Sequence, residues 1–257
     1  MKWLVAALAI LAALVAAAVL FAGALLGGAI ERIGADATET PVHVGGVDIA
    51  WSEARATLTD VTIGNPAGFE SRPAMALGAV TIALEPATLG ESPLVLREMQ
   101  VADLVADVEI REGGETNLAA LKRNLEQSAQ AGRPGPPRAE PGDVVVEKAS
   151  RTRMRVEELV VGEGRARVRA PDLDEGALVT VPLGAVNLDD VGGAAGQEPD
   201  ALVRTIALAL VESTARTVAE SAVRETLGDE GLGGALRDAV DGAIEEGREA
   251  LEELQGR

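Results

Sequence analysis

Cysteine and tyrosine are absent from this 257-residue chain, which also has a single histidine and only 2% aromatic residues. Without cysteine the protein cannot form disulfides, iron–sulfur clusters, thiol nucleophiles or the usual structural zinc sites. One histidine excludes a metal site built on paired histidines. The formal net charge of -18 argues against nucleic acid as a partner, because binding to phosphates requires a basic surface.

Sequence patterns that mark enzymes are missing as well. There is no Gly-x-Ser-x-Gly elbow, and His43 is the one histidine available for a catalytic triad. Gly113-Gly114 lacks the Lys-Ser/Thr that follows the glycines of a phosphate-binding loop, which favours a simple turn. We therefore expect a protein that is not an enzyme and that carries no cofactor and no metal.

What the sequence does contain is an uncharged segment from Trp3 to Ile30. It exceeds the roughly 20 apolar residues that a helix needs to cross a bilayer. Lys2 precedes the segment and Glu31 ends it, and positive charge on the N-terminal side favours a cytoplasmic N-terminus. The pattern predicts a transmembrane signal anchor over residues 1–33, with the bulk of the chain outside the cytoplasm. The alternative is a cleaved signal peptide with Ala22-Gly23-Ala24 as its cleavage site.

After the expected anchor, alternating apolar residues predict the first part of a β-rich domain over residues 34–131. Residues 34–40 read as a short linker. The alternation changes phase near Asp60, which indicates an irregularity in that strand. Asn117 is a good helix N-cap, and the leucines that follow it predict an inserted helix over residues 117–131.

Proline and glycine then predict a linker over residues 132–143. The second part of the β-rich domain is expected over residues 144–193, with a hairpin between two strands at Gly162 and Gly164. Whether the two β runs share one sheet stays open. Residues 197–257 have apolar positions at helical spacing and predict an α-helical tail, whose last segment is amphipathic.

Several strand and turn segments of this chain resemble those of the AsmA-like family of bacterial envelope proteins. They are, in order, Leu58-Thr-Asp-Val-Thr-Ile-Gly-Asn-Pro-Ala-Gly-Phe69, Ala76-Leu77-Gly78, Val80-Thr-Ile-Ala-Leu-Glu-Pro86, Leu94-Val-Leu-Arg-Glu98, Thr116-Asn117-Leu118, Val179-Thr-Val-Pro-Leu-Gly184 and Leu188-Asp-Asp-Val-Gly192. With the expected anchor, the resemblance covers roughly residues 1 to 225. It implies a small member of the family.

The sequence patterns and the resemblance together predict an α+β fold with an N-terminal transmembrane helix, a β-rich AsmA-like domain with an inserted helix, and an α-helical C-terminal tail. Members of this family are anchored in the bacterial inner membrane and project β-sheet grooves into the periplasm. They are implicated in outer-membrane biogenesis and in phospholipid movement. At about 3.3 Å per strand residue, the few strands of this chain cannot bridge an envelope. The expectation is therefore a short groove, an adaptor or a partial module.

Two sets of residues are candidates for contact with membrane lipids. A sheet face of aliphatic side chains would offer an acyl chain a continuous apolar surface. The lipid-facing candidates are Val80, Ile82, Leu84, Leu94, Leu96, Val101 and Val108. The candidates for phosphate contact are Arg165, Arg167 and Arg169, which alternate along one strand. The alternative for these arginines is a solvated outer face that balances acidic neighbours.

The expected function is that of a periplasmic protein, anchored in the bacterial inner membrane by one span, which acts in envelope or outer-membrane lipid homeostasis. Its expected partners are membrane lipids and envelope proteins, and nucleic acid is excluded. The alternative is a non-enzymatic, membrane-anchored scaffold that binds protein partners through its C-terminal helices.

Overall fold

The computed structural model describes residues 23–69, 73–130, 152–170 and 178–228. These residues form one nine-stranded sheet with three helices, a mixed α/β fold. The strands are β1 (Val42–Ala50), β2 (Arg55–Ile63), β3 (Met75–Leu84), β4 (Leu94–Ala102), β5 (Val105–Glu109), β6 (Met154–Val161), β7 (Gly164–Arg169), β8 (Val179–Leu183) and β9 (Val186–Val191). The helices are α1 (23–38), α2 (Asn117–Gln130) and α3 (Pro199–Gly228).

Both β runs of the sequence lie in this one sheet. Strands β1, β2 and β3 pair antiparallel in that order, and β3 pairs along its other side with both β4 and β5. Next come β6, parallel to β4, and β7, parallel to β5. At the far edge β9 pairs with β6 and β8 with β7, both antiparallel. The two parallel pairings give the sheet its mixed character.

In three places, two consecutive strands together form one long strand that is interrupted by a bend. Val101 pairs with Val161 in β4 and β6, and Val105 pairs with Arg165 in β5 and β7, so the register continues unchanged from one pair to the other. The same continuity joins β9 to β8 along the edge. The sheet therefore consists of six long strands: β1, β2, β3, β4–β5, β6–β7 and β8–β9.

One row of residues crosses all six long strands at the bend. The registers of the flanking pairs align Gly45, Asp60, Gly78, Asp103, Glu163 and Gly184, which we call the bend row. Within a strand, the two core-facing residues on either side of the bend row are three positions apart instead of the usual two, as Leu58 and Val61 are. Asp60 and Asp103 adopt left-handed φ angles of 52° and 55°. Each strand thus carries one extra residue at the same level, which shifts the phase of its alternation while the one-to-one register across the sheet is kept.

The core lies on one face of the sheet and is aliphatic. Helix α2 packs over β5, and α3 packs over α2, β6, β8 and β9. Helix α2 contributes Leu118, Leu121 and Leu125, which are at most 1% exposed. Helix α3 contributes Leu202, Ile206, Leu210 and Val211. Hydrophobic burial against the sheet therefore positions α2 and α3.

Helix α1 runs antiparallel to β1 and covers this edge of the sheet. A Cβ on Gly34 would lie 3.1 Å from the side chain of Val42, and one on Gly23 would lie 2.7 Å from the carbonyl oxygen of Val47. Between these contacts, the Val44 N–H donates to Oε1 of Glu31 at 2.8 Å. A side chain of α1 thus accepts a hydrogen bond that an edge strand would otherwise offer to another chain.

The contact between Glu31 and β1 is expected to make stability depend on pH. The Val44 N–H, helped by His43, lowers the pKa of Glu31 below its ordinary value. The stabilisation is present above the pKa of the unfolded chain and is lost as the pH falls through the lower folded-state pKa. Glu31→Gln should therefore flatten this acid-side loss in chemical denaturation. Asp36→Asn, an exposed change on the same helix, should leave the loss in place. An unchanged profile in Glu31→Gln would contradict the assignment.

The expected α+β fold with a transmembrane helix is wrong. Among the described residues, none of the helices combines the length and the apolar composition that a membrane crossing requires. Residues 1–22 of the expected anchor lie outside the described residues. Helix α1 carries the charged residues Glu31 and Asp36. It continues to residue 38 and so includes most of the expected linker over residues 34–40, where Gly34 packs on Val42.

Another correction concerns the expected hairpin at Gly162 and Gly164. Strands β6 and β7 do not pair with each other, because they run on through the bend and pair with different neighbours. The linker over 132–143, the start of the second β run before residue 152 and the tail beyond residue 228 lie outside the described residues.

Candidate functional site

Four of the seven lipid-facing candidates are part of a closed core. Val80, Leu96, Val101 and Val108 are each at most 5% exposed and belong to one buried cluster with residues of α2 and α3. The other three candidates, Ile82, Leu84 and Leu94, are half-buried. Most of the apolar face is therefore occupied by the protein's own helices.

A short part of the same face stays partly accessible. Cross-strand pairing joins Ile49 to Ala56, Ala56 to Ile82, and Ile82 to Met99, which makes one row across β1, β2, β3 and β4. Leu84 lies next to Ile82 on the same face of β3. All five residues are half-buried. We call these five residues the open strip.

The open strip ends where α3 begins to cover the sheet. Met99 pairs with Leu159 of β6, and Leu159 has no exposed surface. Helix α3 lies over β6, β8 and β9, and α2 lies over β5, so the strip occupies the part of the face between α3 and the β1 edge. No charged residue belongs to the strip, which can therefore take an apolar ligand but cannot hydrogen-bond a polar one.

The three arginines proposed for phosphate contact lie on the opposite face of the sheet. Their neighbours Ala166 and Val168 are buried in the core, so alternation directs the arginines outwards. Nε and Nη2 of Arg167 donate to the two carboxylate oxygens of Asp107 at 2.7 and 2.5 Å. Arg169 pairs in register with Glu109. Carboxylates of β5 thus face two of the three arginines, and the structure does not bring any of them to the open strip.

Sequence reasoning missed a buried polar network beside the core. Asn117 has no exposed surface. Its Oδ1 accepts from the Glu109 N–H at 3.0 Å, and its Nδ2 donates to the Asp107 carbonyl and to Oδ1 of Asn65, both at 2.7 Å. The network ties the loop after β2 to β5 and α2. The helix N-cap is Thr116, whose hydroxyl accepts from the Ala119 N–H at 3.0 Å.

Other polar features of the described residues include an exposed histidine and a cation–π contact. His43 is 72% exposed on the edge strand, with its Nδ1 2.9 Å from Oε1 of Glu31. Arg111 lies 5.3 Å from the ring centroid of Phe69, which stabilises the loop after β2 by a cation–π contact. Within residues 23–69, 73–130, 152–170 and 178–228, no three acidic or histidine side chains are placed to hold a metal ion.

No family model matches the chain, and no curated protein matches it. The resemblance to AsmA-like proteins therefore stays a prediction from the sequence.

Proposed function

We propose that this protein holds the acyl chain of a membrane lipid on the open strip and acts, without catalysing a reaction, in lipid homeostasis of the bacterial envelope. One observation carries the proposal. Ile49, Ala56, Ile82 and Met99 form an unbroken apolar row across four paired strands that remains partly accessible to solvent. Because the backbone groups within the sheet are paired, the row offers an apolar chain no unsatisfied polar groups.

The size of the strip favours reversible holding. Four strands at about 4.8 Å spacing give a row roughly 14 Å across. Full burial of a methylene contributes about 0.8 kcal/mol, and contact on one side recovers only part of it. A lipid chain on this strip would therefore exchange readily, as expected of a protein that passes lipid on.

We place this activity at the periplasmic side of the inner membrane. The uncharged sequence from Trp3 to Ile30 supports membrane association, and the resemblance to AsmA-like proteins supports the envelope. The site needs no cofactor. The alternative function, a scaffold for envelope proteins, depends on the C-terminal tail, and the last segment of that tail, residues 229–257, lies outside the described residues.

Photo-crosslinking tests the proposed site directly. The full-length protein would be incubated with a phospholipid that carries a diazirine in its acyl chain, and the labelled peptides would be identified by mass spectrometry. We expect label on the strand containing Ile82. Ile82→Asp should lower that labelling about tenfold, because it places a charge in the middle of an apolar contact.

The matched control is Thr81→Asp. Thr81 is the neighbouring residue of β3 and lies on the other face, so the same charge should leave labelling unchanged. Circular dichroism and thermal melting would verify that both variants fold. Labelling confined to residues 1–30, or equal loss in both variants, would contradict the proposed site and favour the scaffold.

A further inference from the structure

Exposed large apolar side chains of the described residues gather towards one end of the sheet. Trp51 and Leu89 are each 61% exposed, Leu25 is 75% exposed and Leu26 is 37% exposed. The remaining one, Leu178, is 46% exposed and precedes β8 at the opposite end. Isolated exposed leucines are ordinary on protein surfaces, but a cluster at one end indicates a contact surface.

Trp51 and Leu89 lie on adjacent turns, at what we call the hairpin end of the sheet. Trp51 opens the 3-10 turn Trp51–Glu53, which joins β1 to β2. Leu89 follows the 3-10 turn Pro86–Thr88 in the connection between β3 and β4. The Leu84 N–H donates to the Ala54 carbonyl at 2.8 Å, which holds the two connections side by side. Ile49 and Leu84 of the open strip lie just inside this end.

Helix α1 begins on the side of the hairpin end. Gly34 of α1 lies against Val42 of β1, whereas Gly23 lies against Val47, which is nearer to the hairpin end. The chain before Gly23 is uncharged back to Trp3. The first turn of α1, which follows this uncharged stretch in the sequence, therefore lies nearer to the hairpin end than its last turn does.

The described charged side chains at the hairpin end are slightly more acidic than basic. Arg55 lies 3.8 Å from Glu53, and Arg97 lies 3.6 Å from Glu85. Both arginines thus have carboxylate neighbours, and Glu91 adds a further negative charge on the connection that carries Leu89. This end has no excess of positive charge with which to attract anionic lipids.

We propose that the hairpin end docks on the surface of a zwitterionic bilayer, with Trp51 and Leu89 entering the boundary between headgroups and acyl chains. Tryptophan favours this boundary because its ring is apolar and its indole N–H can still reach water. Docking in this orientation would present the open strip to the bilayer at its nearest end. The proposal goes beyond the proposed function, because docking does not require the strip to hold an acyl chain.

Fluorescence of Trp51 in the full-length chain tests this docking. Trp3→Phe leaves Trp51 as the only tryptophan. The variant would be reconstituted into phosphatidylcholine vesicles, with and without bromine on the upper part of the acyl chains. We expect a blue shift of the emission and at least about twofold quenching by bromine. Leu89→Ser in the same background should reduce the quenching, and Leu178→Ser should not.

A reporter at the opposite end provides the matched control. A chain with Trp3→Phe, Trp51→Phe and Leu178→Trp carries its only tryptophan beyond β7, and its emission should be unaffected by bromine. Vesicle-bound protein with unquenched Trp51, or equal quenching at both reporters, would overturn the proposal. A blue shift without bromine quenching would also overturn it and indicate contact with a second protein copy. None of these readouts depends on acyl-chain labelling, so the experiments can contradict membrane docking and acyl-chain binding independently of each other.

Discussion

Gly78→Ala is expected to lower the free energy of unfolding by about 2–3 kcal/mol, as overpacking in a rigid site does. A Cβ on Gly78 would lie 2.7 Å from the Cβ of Asp103, a distance that real side chains do not reach. Asp103 cannot turn this atom away by rotating its side chain, because the backbone fixes Cβ and holds φ at 55°. The bend between β4 and β5 would have to shift. Chemical denaturation followed by circular dichroism measures the loss.

A double-mutant cycle isolates the cause of this loss. Asp103→Gly removes the opposing Cβ and suits the left-handed backbone, so Gly78→Ala should cost little in that background. The coupling energy between the two changes should be about 2 kcal/mol. Gly184→Ala is the matched control, since Gly184 belongs to the same bend row and has nothing within 4 Å of an added Cβ. A loss in Gly184→Ala as large as in Gly78→Ala would show that the collision is not the reason.

Asn117→Leu is expected to have the larger effect, a loss of about 3–5 kcal/mol. Leucine is similar in size, but it leaves the Glu109 N–H, the Asp107 carbonyl and the Asn65 amide without the partner they have now. The orientation of the Asn117 amide follows from its backbone partners, because an N–H only donates and a carbonyl only accepts. The loss of a hydrogen bond at a buried site is costly, and this one substitution removes three of them.

Comparison with a second asparagine of the same helix separates the network from a general effect. Asn124 is half-buried, and its Nδ2 donates one hydrogen bond, to the Thr38 carbonyl at 3.0 Å. Asn124→Leu should therefore cost about 1 kcal/mol. The measurement is again chemical denaturation of the full-length chain. Similar losses for both variants would contradict the central role of the Asn117 network.

The sequence predicted only one position of the bend row, although a pattern that marks the row is present in several strands. Three of the long strands contain the same four-residue pattern, in which an apolar residue is followed by a glycine, a small residue and a second apolar residue. The pattern begins at Val44, Leu77 and Leu183. Two intervening strands have an acidic residue in the third position, at Asp60 and Asp103. The phase change at Asp60 was evident in one strand. That these positions form one row follows only from the register, which joins residues far apart in the chain.

The candidate site shows a similar division. Alternation places Val80, Ile82 and Leu84 on one face of β3, and the structure agrees that this face is apolar. Alternation does not say which part of the face a helix covers, and Val80 is buried while Ile82 and Leu84 are half-buried. Coverage depends on where α2 and α3 dock, which is decided by long-range packing.

By itself, the sequence determined the properties that local chemistry fixes: an aliphatic core, apolar alternation along the strands, helical spacing after Thr116 and after Gln197, and no cysteine chemistry. The tertiary structure alone decided that the two β runs join through parallel pairs, that the bends align, that Arg167 faces Asp107, and that Trp51 and Leu89 share one end. The physical reason is that strand pairing and helix docking bring together residues distant in the chain. Their energies depend on register and coverage, which no local pattern encodes.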